Sequence, residues 1–238
     1  MTEWFEEWFG ETYLALYPHR DDAEAARAVA LIRRTVPWER GWRTLDVACG
    51  AGRHARALAE AGARCIGLDL SAALLRRAGM QTAVPLIRAD MRAIPVRAAS
   101  MDLTVNLFTS FGYFATDAEH ASALAEMAST LRPGGWLVLD FLNADAVRAA
   151  LVPEEEAQLA DQPVRIRREL AAGGRVVRKR ITTADDRVFT ERVRLFSEDE
   201  LAQMLEAAGI SVRYRFGDYD GGSITPSSPR VVLMGERR

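Results

Sequence analysis

The 238-residue chain is 49% hydrophobic and 27% charged, enough apolar surface to bury a sizeable core as one domain, or as one domain with an elaboration. A formal charge of -2 and a pI near 6.0 give no global attraction to nucleic acid or to an anionic membrane, and neither partner is expected. Cys49 and Cys65 are the only cysteines; both lie in strand-like runs and read as small buried residues of a reducing compartment rather than a disulfide pair.

The opening MTEWFEEWFG has neither the basic start nor the apolar core of a signal peptide, and no run is long enough to span a bilayer, so a cytoplasmic protein is expected. Trp4, Phe5, Trp8, Phe9 and Tyr13 recur at helical spacing and predict an N-terminal helical cap over 1–36, either packed on the core or closing over a site. Short apolar runs then alternate with helical patterns, the mark of a parallel sheet covered by helices. Strands are expected at 43–49, 64–69, 84–89, 102–107 and 135–141. Ser71 caps the helix after the second strand and Gly79 closes it. Thr116 and Glu119 form a capping box for a helix ending near LRPGG, with His120 on an exposed turn of it.

From 163 to 196 the alternation breaks. PVRIRREL, RVVRKRI and RVFTERVRLF are strand-like runs split by the turn signals AAGG and ADD, which predicts a three-stranded antiparallel meander inserted after the fifth strand. Ser197 with Glu200 opens one more helix, Gly209 ends it, and strands near 211–217 and 230–236 follow. Their connection is too short for a helical crossover, so the last strand runs antiparallel to its neighbour. The expected fold is α/β: a single domain over 1–238 with a seven-stranded, mostly parallel sheet, helices on both faces, the last strand antiparallel, and the inserted β-meander.

LDVACGAGRH, residues 45–54, holds the chemistry. Gly50, Gly52 and Ala55 match the dinucleotide spacing G-x-G-x-x-G/A, which on its own supports an NAD(P)-dependent oxidoreductase. Asp46 points elsewhere: a carboxylate at this turn repels a pyrophosphate and suits a ligand with a positive charge, an ammonium or a sulfonium. Asp46, Asp69, Asp90 and Asn106 all fall at the carboxyl ends of predicted neighbouring strands, where open sheets bind ligands.

These residues resemble the class I S-adenosylmethionine-dependent methyltransferases, whose first motif reads acid, apolar, small, any, Gly, any, Gly; DVACGAG at 46–52 fits it position by position. The likeness continues in GLDLS at 67–71, RADM at 88–91, MDLTVNLFTSFGYF at 101–114 and LRPGGWLVLDF at 131–141. It implies S-adenosylmethionine as cofactor and S-adenosylhomocysteine as product, held by Asp46, Ala48, Gly50, Gly52, Arg53, Asp69, Leu70, Asp90, Met91 and Asn106. By the same resemblance Asp69 meets the ribose hydroxyls, Asp90 the adenine amino group, and the Met91 backbone the ring. A cofactor-binding protein of this fold without catalysis is the other reading.

Methyl transfer from a sulfonium is an in-line displacement that mainly needs alignment in a dry pocket; a neutral amine needs no base, whereas a hydroxyl benefits from one. His19 and Tyr113 are the candidate catalytic groups; His54 reads as support for the cofactor or packing. No Cys or His cluster has metal spacing, so no metal is expected. No Asn/Asp-Pro-Pro-Tyr follows the fourth strand and no cysteine sits on a loop beyond it; in this respect the chain resembles the methyltransferases of metabolites, which implies an amine or hydroxyl of a small molecule as acceptor. Phe111, Tyr113 and Phe114, with Tyr219 and Arg230 from the last loop, are the candidate acceptor residues, Asp218 and Asp220 projecting beside them. Arg230 holds an anionic group of the acceptor or a carboxylate of its own loop. The meander carries ten Lys/Arg between 165 and 194 against four acids, and is expected to be a lid over the acceptor or a homodimer element.

Overall fold

The computed structural model describes residues 3–10, 13, 22–159 and 162–238. The aromatic opening forms α1 (Trp4–Trp8), and α2 (Asp22–Thr35) follows. The alternating segment comprises β1 (Arg43–Val47), α3 (Arg53–Glu60), β2 (Arg64–Asp69), α4 (Ala72–Gly79), β3 (Leu86–Arg88), β4 (Met101–Asn106), α5 (Asp117–Thr130) and β5 (Leu131–Leu142). Ser71 caps α4 by accepting from Leu74 N, and the boxes Thr116–Glu119 and Ser197–Glu200 are both formed, the second opening α7 (Glu198–Ala207). A short helix, α6 (Ala144–Ala149), leads out of β5.

The main sheet has seven strands in the order β10-β11-β5-β4-β1-β2-β3, where β10 is Ile210–Phe216 and β11 is Arg230–Arg237. β11 is antiparallel to both neighbours and the other pairings are parallel, as the short connection predicts. Side chains on β5 alternate between two cores. Leu137, Leu139 and Phe141 meet Leu124 and Met127 of α5 and Leu201 and Leu205 of α7, while Trp136 and Val138 face Leu31 and Ile32 of α2 and Leu58 of α3.

The insertion is larger than the sequence pattern suggests. It is a four-stranded antiparallel sheet of β6 (Glu154–Leu159), β7 (Gln162–Ala171), β8 (Val176–Thr183) and β9 (Val188–Arg194), not three strands. β6 reads EEEAQL, and glutamates are poor strand formers, which hides its pairing. Those glutamates answer the basic strand beside them: Glu154 pairs with Arg167 at 3.2 Å and Glu155 with Arg168 at 2.7 Å. The inner face, with Val164, Ile166, Ile181 and Phe189, packs on Trp8, Tyr13 and Leu74, so this chain itself covers it.

His120 corrects another expectation. It is 1% exposed and enclosed by Phe111, Phe114 and Phe196, because its helix face continues through Ala123, Leu124 and Met127 at spacings of three, four and seven. Burial first of all holds its imidazole below the ordinary range, and Nε2 accepts from Phe114 N.

The insertion joins the main body where Arg194 N donates to Gly112 O at 2.8 Å. Gly112 has φ +90, and a Cβ there would lie 3.1 Å from both the Arg194 carbonyl and Val193 Cγ1. Gly112→Ala is expected to lower unfolding stability by about 1–3 kcal/mol through strain at this seam. Urea melts matching those of the parent would show that the seam tolerates a side chain.

Candidate active site

The carboxyl ends of the parallel strands open into one cavity of ≈ 1820 Å³. Single-ligand pockets commonly run from roughly 300 to 1,000 Å³, so this space suits two ligands side by side. One half is built on β1, β2 and β3. Leaving β1, Ala48 and Gly50 take left-handed backbone at φ 58 and 56, turning the chain beneath the cavity floor; a Cβ on Gly50 would meet only Leu74 Cδ1, at 4.0 Å. Gly52, at φ 85, begins α3 just outside the lining.

Asp69 ends β2 at 7% exposure and organises this half. Its Oδ2 accepts from Gly50 N and its Oδ1 from Ser71 N, both at 2.8 Å, joining the glycine turn to the cap of α4. A carboxylate has about four lone-pair sites, so two are left for a pair of hydroxyls. Burial raises its carboxyl, and the amides of Ser71, Gly50 and Leu70 oppose that. Asp90, Met91 and Leu70 line the same half.

Asp46 sits lower than the sequence suggests, 1% exposed and outside the lining. Its Oδ2 has no hydrogen-bond partner among the described residues, and burial, followed by the nearby Asp69 charge, pushes its carboxyl up to about 8. Asn106 is also fully buried: its Nδ2 donates to Val47 O at 3.0 Å, locking β4 to β1 beneath the site rather than lining it.

The other half lies over β4 and β5. It is held from beneath the lining by Asp140, a β5 residue that strand periodicity alone did not single out. The signal was present: like Asp46, Asp69 and Asn106, it is a polar residue near the end of an otherwise apolar strand. Asp140 is fully buried, with Oδ2 accepting from Phe108 N at 2.7 Å and Tyr219 Oη at 2.5 Å, and Oδ1 from Arg230 Nε at 2.5 Å. Its carbonyl accepts from Thr109 N at 3.0 Å. These contacts hold Phe108 and Thr109 in consecutive left-handed conformations, φ 60 and 61, a backbone that costs about 1–3 kcal/mol per residue outside glycine.

Arg230 therefore pairs with a strand carboxylate, not with one from its own loop. Burial disfavours its charge, but Asp140 outweighs this and the guanidinium is held above its ordinary range. It lies over the Phe108 and Tyr219 rings at 5.1 and 5.4 Å and donates to Thr109 Oγ1 at 3.2 Å. Tyr219 supports it from outside the lining, its hydroxyl driven upward by burial and then by the Asp140 charge. Arg53 covers the same Phe108 ring at 4.1 Å and pairs with Glu24 at 3.2 Å.

Phe111, Tyr113 and Phe114 line this half, and Tyr113 Oη donates to Thr109 O at 2.6 Å. Asp218 accepts from Asp220 N and Gly222 N within its own turn, and exposed Asp220 pairs with Arg27, so neither projects into the cavity. His54 lines the cavity; His19 lies outside the described residues. From above, α1 contributes Trp4 and Phe5, and β9 contributes Glu191 and Val193. Trp4 Nε1 donates to Tyr113 O at 3.2 Å and Trp8 Nε1 to Glu191 Oε1 at 2.8 Å, tying cap, loop and insertion together. No group of metal-binding side chains is found among the described residues.

Comparison with known proteins agrees with this geometry. Residues 44–135 match the model of a methyltransferase domain. A dTDP-3-amino-3,6-dideoxy-alpha-D-glucopyranose N,N-dimethyltransferase of Streptomyces fradiae is 29% identical over 221 residues, covering 87% of this chain and 84% of that protein. A demethylmenaquinone methyltransferase of a Mycobacterium species is 32% identical over 178 residues, covering 74% and 70%. Among solved structures, an amino pentose methyltransferase of Micromonospora echinaspora with S-adenosylmethionine bound superimposes with a TM-score of 0.70 at 27% identity, covering 96% of this chain and 97% of that one. The glycine turn, the acids on successive strand ends and these likenesses over most of its length place the chain in the S-adenosylmethionine-dependent methyltransferases, enzymes that here pass a methyl group from that cofactor to an amine or hydroxyl of a small molecule.

Proposed function

We propose that the acceptor is the amino group of a sugar, carried on a nucleotide or a similar polar handle. The observation that carries this reading is the likeness to the Streptomyces fradiae N,N-dimethyltransferase, which spans 87% of this chain and so extends well beyond the segment 44–135 that matches the methyltransferase domain. The chemistry of the site supports it: an amine attacks in its neutral form, so neither His19 nor Tyr113 is needed as a base.

The residues fit the cofactor. Asp69 keeps two acceptor sites that would take the ribose hydroxyls, the Gly50 turn would allow a ligand to approach the backbone closely, and Asp46 holds an incompletely satisfied buried carboxyl group beneath that turn. Bound there, S-adenosylmethionine supplies an electrophilic methyl group for direct displacement. In this reading the protein's own part is alignment and exclusion of water. Phe108, Thr109 and Tyr113, fixed by Asp140 and Arg230, form the acceptor wall. The cap α1 and the inner face of β6–β9 form the roof, and their packing on each other supports a lid rather than a dimer element. A cytoplasmic setting is consistent with this chemistry, and no helix among the described residues is long and apolar enough to cross a membrane.

Methyl-labelled cofactor offered with a dTDP-linked 3-amino sugar, its 3-hydroxy counterpart and a demethylated quinone tests the acceptor. Label is expected in the amino sugar; label in the quinone alone would sink the reading. Asp69→Ala is expected to weaken S-adenosylhomocysteine by about tenfold or more, since it removes a charge-assisted acceptor and frees the glycine turn. An unchanged dissociation constant in the folded variant would remove Asp69 from the site.

The raised Asp46 carboxyl adds a pH dependence. Between about 4 and about 8 the folded chain holds a proton at Asp46 that the unfolded chain, near the ordinary 3.8, has released. Stability from this group therefore falls as pH rises through that window, and Asp46→Asn should flatten the profile. The α-ammonium of S-adenosylhomocysteine favours the ionised form, so its binding should release a proton and tighten from pH 6 to 8. Calorimetry in buffers of different ionisation enthalpy reads that proton; its absence in the parent protein would show that Asp46 does not sense the ligand.

A further inference from the structure

Arg92 has no part in the site as described so far and does not line the cavity. Its position is nevertheless unusual. Nε lies 3.1 Å from both Oδ1 and Oδ2 of Asp90, Nη2 lies 2.7 Å from Oδ2, and its own backbone N donates to Oδ1 at 2.8 Å. Three donors of one residue thus make four contacts with the carboxylate, two on each oxygen, and because the Nε hydrogen is shared between both oxygens its three hydrogens use about three of the roughly four lone-pair sites. One acceptor site is left, on a side chain that itself lines the cavity. Burial opposes the Asp90 charge, but Arg92 more than offsets it and holds the carboxyl below the ordinary range, while Arg92 is raised in return.

The guanidinium is fixed from every other side. Nη1 donates to Glu119 Oε1 at 2.7 Å and lies 3.7 Å from Glu3 Oε1, and Cζ lies 4.6 Å from the centre of the Phe114 ring. Glu119 is itself held, because its other oxygen accepts from Thr116 N and Oγ1 in the capping box of α5. Glu3 is the N-cap of α1. The orientation of Asp90 is therefore set by the start of α5, the start of the cap helix and an aromatic ring, all through one planar fork.

We propose that Arg92 is a positioning residue that turns Asp90 into a directional, single-site acceptor, and so determines selectivity for a 6-amino purine over a 6-oxo purine in the cofactor. The inference rests on the reading of Asp90 as the adenine contact. A freely rotating carboxylate can offer a lone pair in many directions and tolerates a shifted donor. A clamped one rewards a single N–H and confronts a 6-oxo group with its own negative charge. Lysine cannot replace this arrangement, because an ammonium is a point charge and does not fix the plane of its partner.

The test compares calorimetric dissociation constants for S-adenosylhomocysteine and S-inosylhomocysteine, which carries oxygen in place of the amino group. The parent protein is expected to prefer the adenosine compound by about tenfold or more, and Asp90→Ala to lose most of that preference. Arg92→Gln is expected to lower the preference at least about fivefold, and Arg92→Lys about threefold, with no further loss when Arg92→Gln is added to Asp90→Ala. A merely structural role would weaken both ligands alike and leave their ratio unchanged. Full preference retained in either folded Arg92 variant overturns the inference alone. Equal binding of the two ligands by the parent overturns the adenine role of Asp90, and the inference with it.

Discussion

A carboxylate taken out of water must find donors, and this sheet ends in a row of polar groups that face that requirement. Along the carboxyl edge, in the spatial order β5, β4, β1, β2 and just past β3, stand Asp140, Asn106, Asp46, Asp69 and Asp90. Each meets the demand differently. Asp140 takes an arginine, a tyrosine and a backbone amide; Asn106 reaches across to a carbonyl; Asp69 takes two amides; Asp90 takes one arginine fork. Asp46 Oδ2 and Asn106 Oδ1 are left with no hydrogen-bond partner among the described residues, and of the two only Asp46 can carry a charge there. Removing one member of a buried ion pair typically costs about 3–5 kcal/mol, so these partnerships determine where the adjoining turns and loops can lie.

The two halves of the site consequently differ in kind. On the β1–β3 side Asp69 and Asp90 line the cavity and keep acceptor capacity towards it. On the β4–β5 side Asp140 is fully buried and accepts from three protein donors, and it holds the backbone of Phe108 and Thr109 in a conformation that those residues rarely adopt alone. Thr109 is β-branched, so its left-handed φ is the clearest sign that the surroundings, and not local preference, set this loop. A wall fixed in this way loses little freedom when an acceptor meets it.

Much of this was legible in the residue order. Strand ends and glycine turns follow from apolar runs and punctuation, and three helix starts from their capping residues, because those signals are local. What escaped is non-local or disguised. β6 is written in glutamates whose strand character comes from the arginines opposite. His120 carries a polar label on an apolar helix face, and the spacing to Ala123, Leu124 and Met127 was the better guide. Asp140 and Arg92 owe their roles to partners 90 and 27 positions away, Arg230 and Glu119, which no window along the chain contains. Asp46 and Asn106 were placed on the correct edge, but the depth of a side chain beneath a turn is not a property of sequence spacing.

The insertion after β5 carries most of its own counter-charges. Arg165, Arg167, Arg168, Arg178, Lys179 and Arg187 each pair with an acid inside it, at Glu154, Glu155, Glu169, Glu191 or Asp185. Polar bonds to the rest of the chain come from the end of β9, where Arg192 donates to Phe114 O and Arg194 pairs with Asp117 and Glu200, from the β7–β8 turn, where Arg175 pairs with Asp117 and Gly174 O accepts from Arg148 Nε, and from Glu191, which accepts from Trp8 Nε1. A roof that neutralises most of its own charge can change its outward face without unpairing charges of the main body. Drift in those outward-facing residues leaves Asp46, Asp69 and Asp90 undisturbed, so the outer surface of the insertion and the row of strand-end acids can change independently.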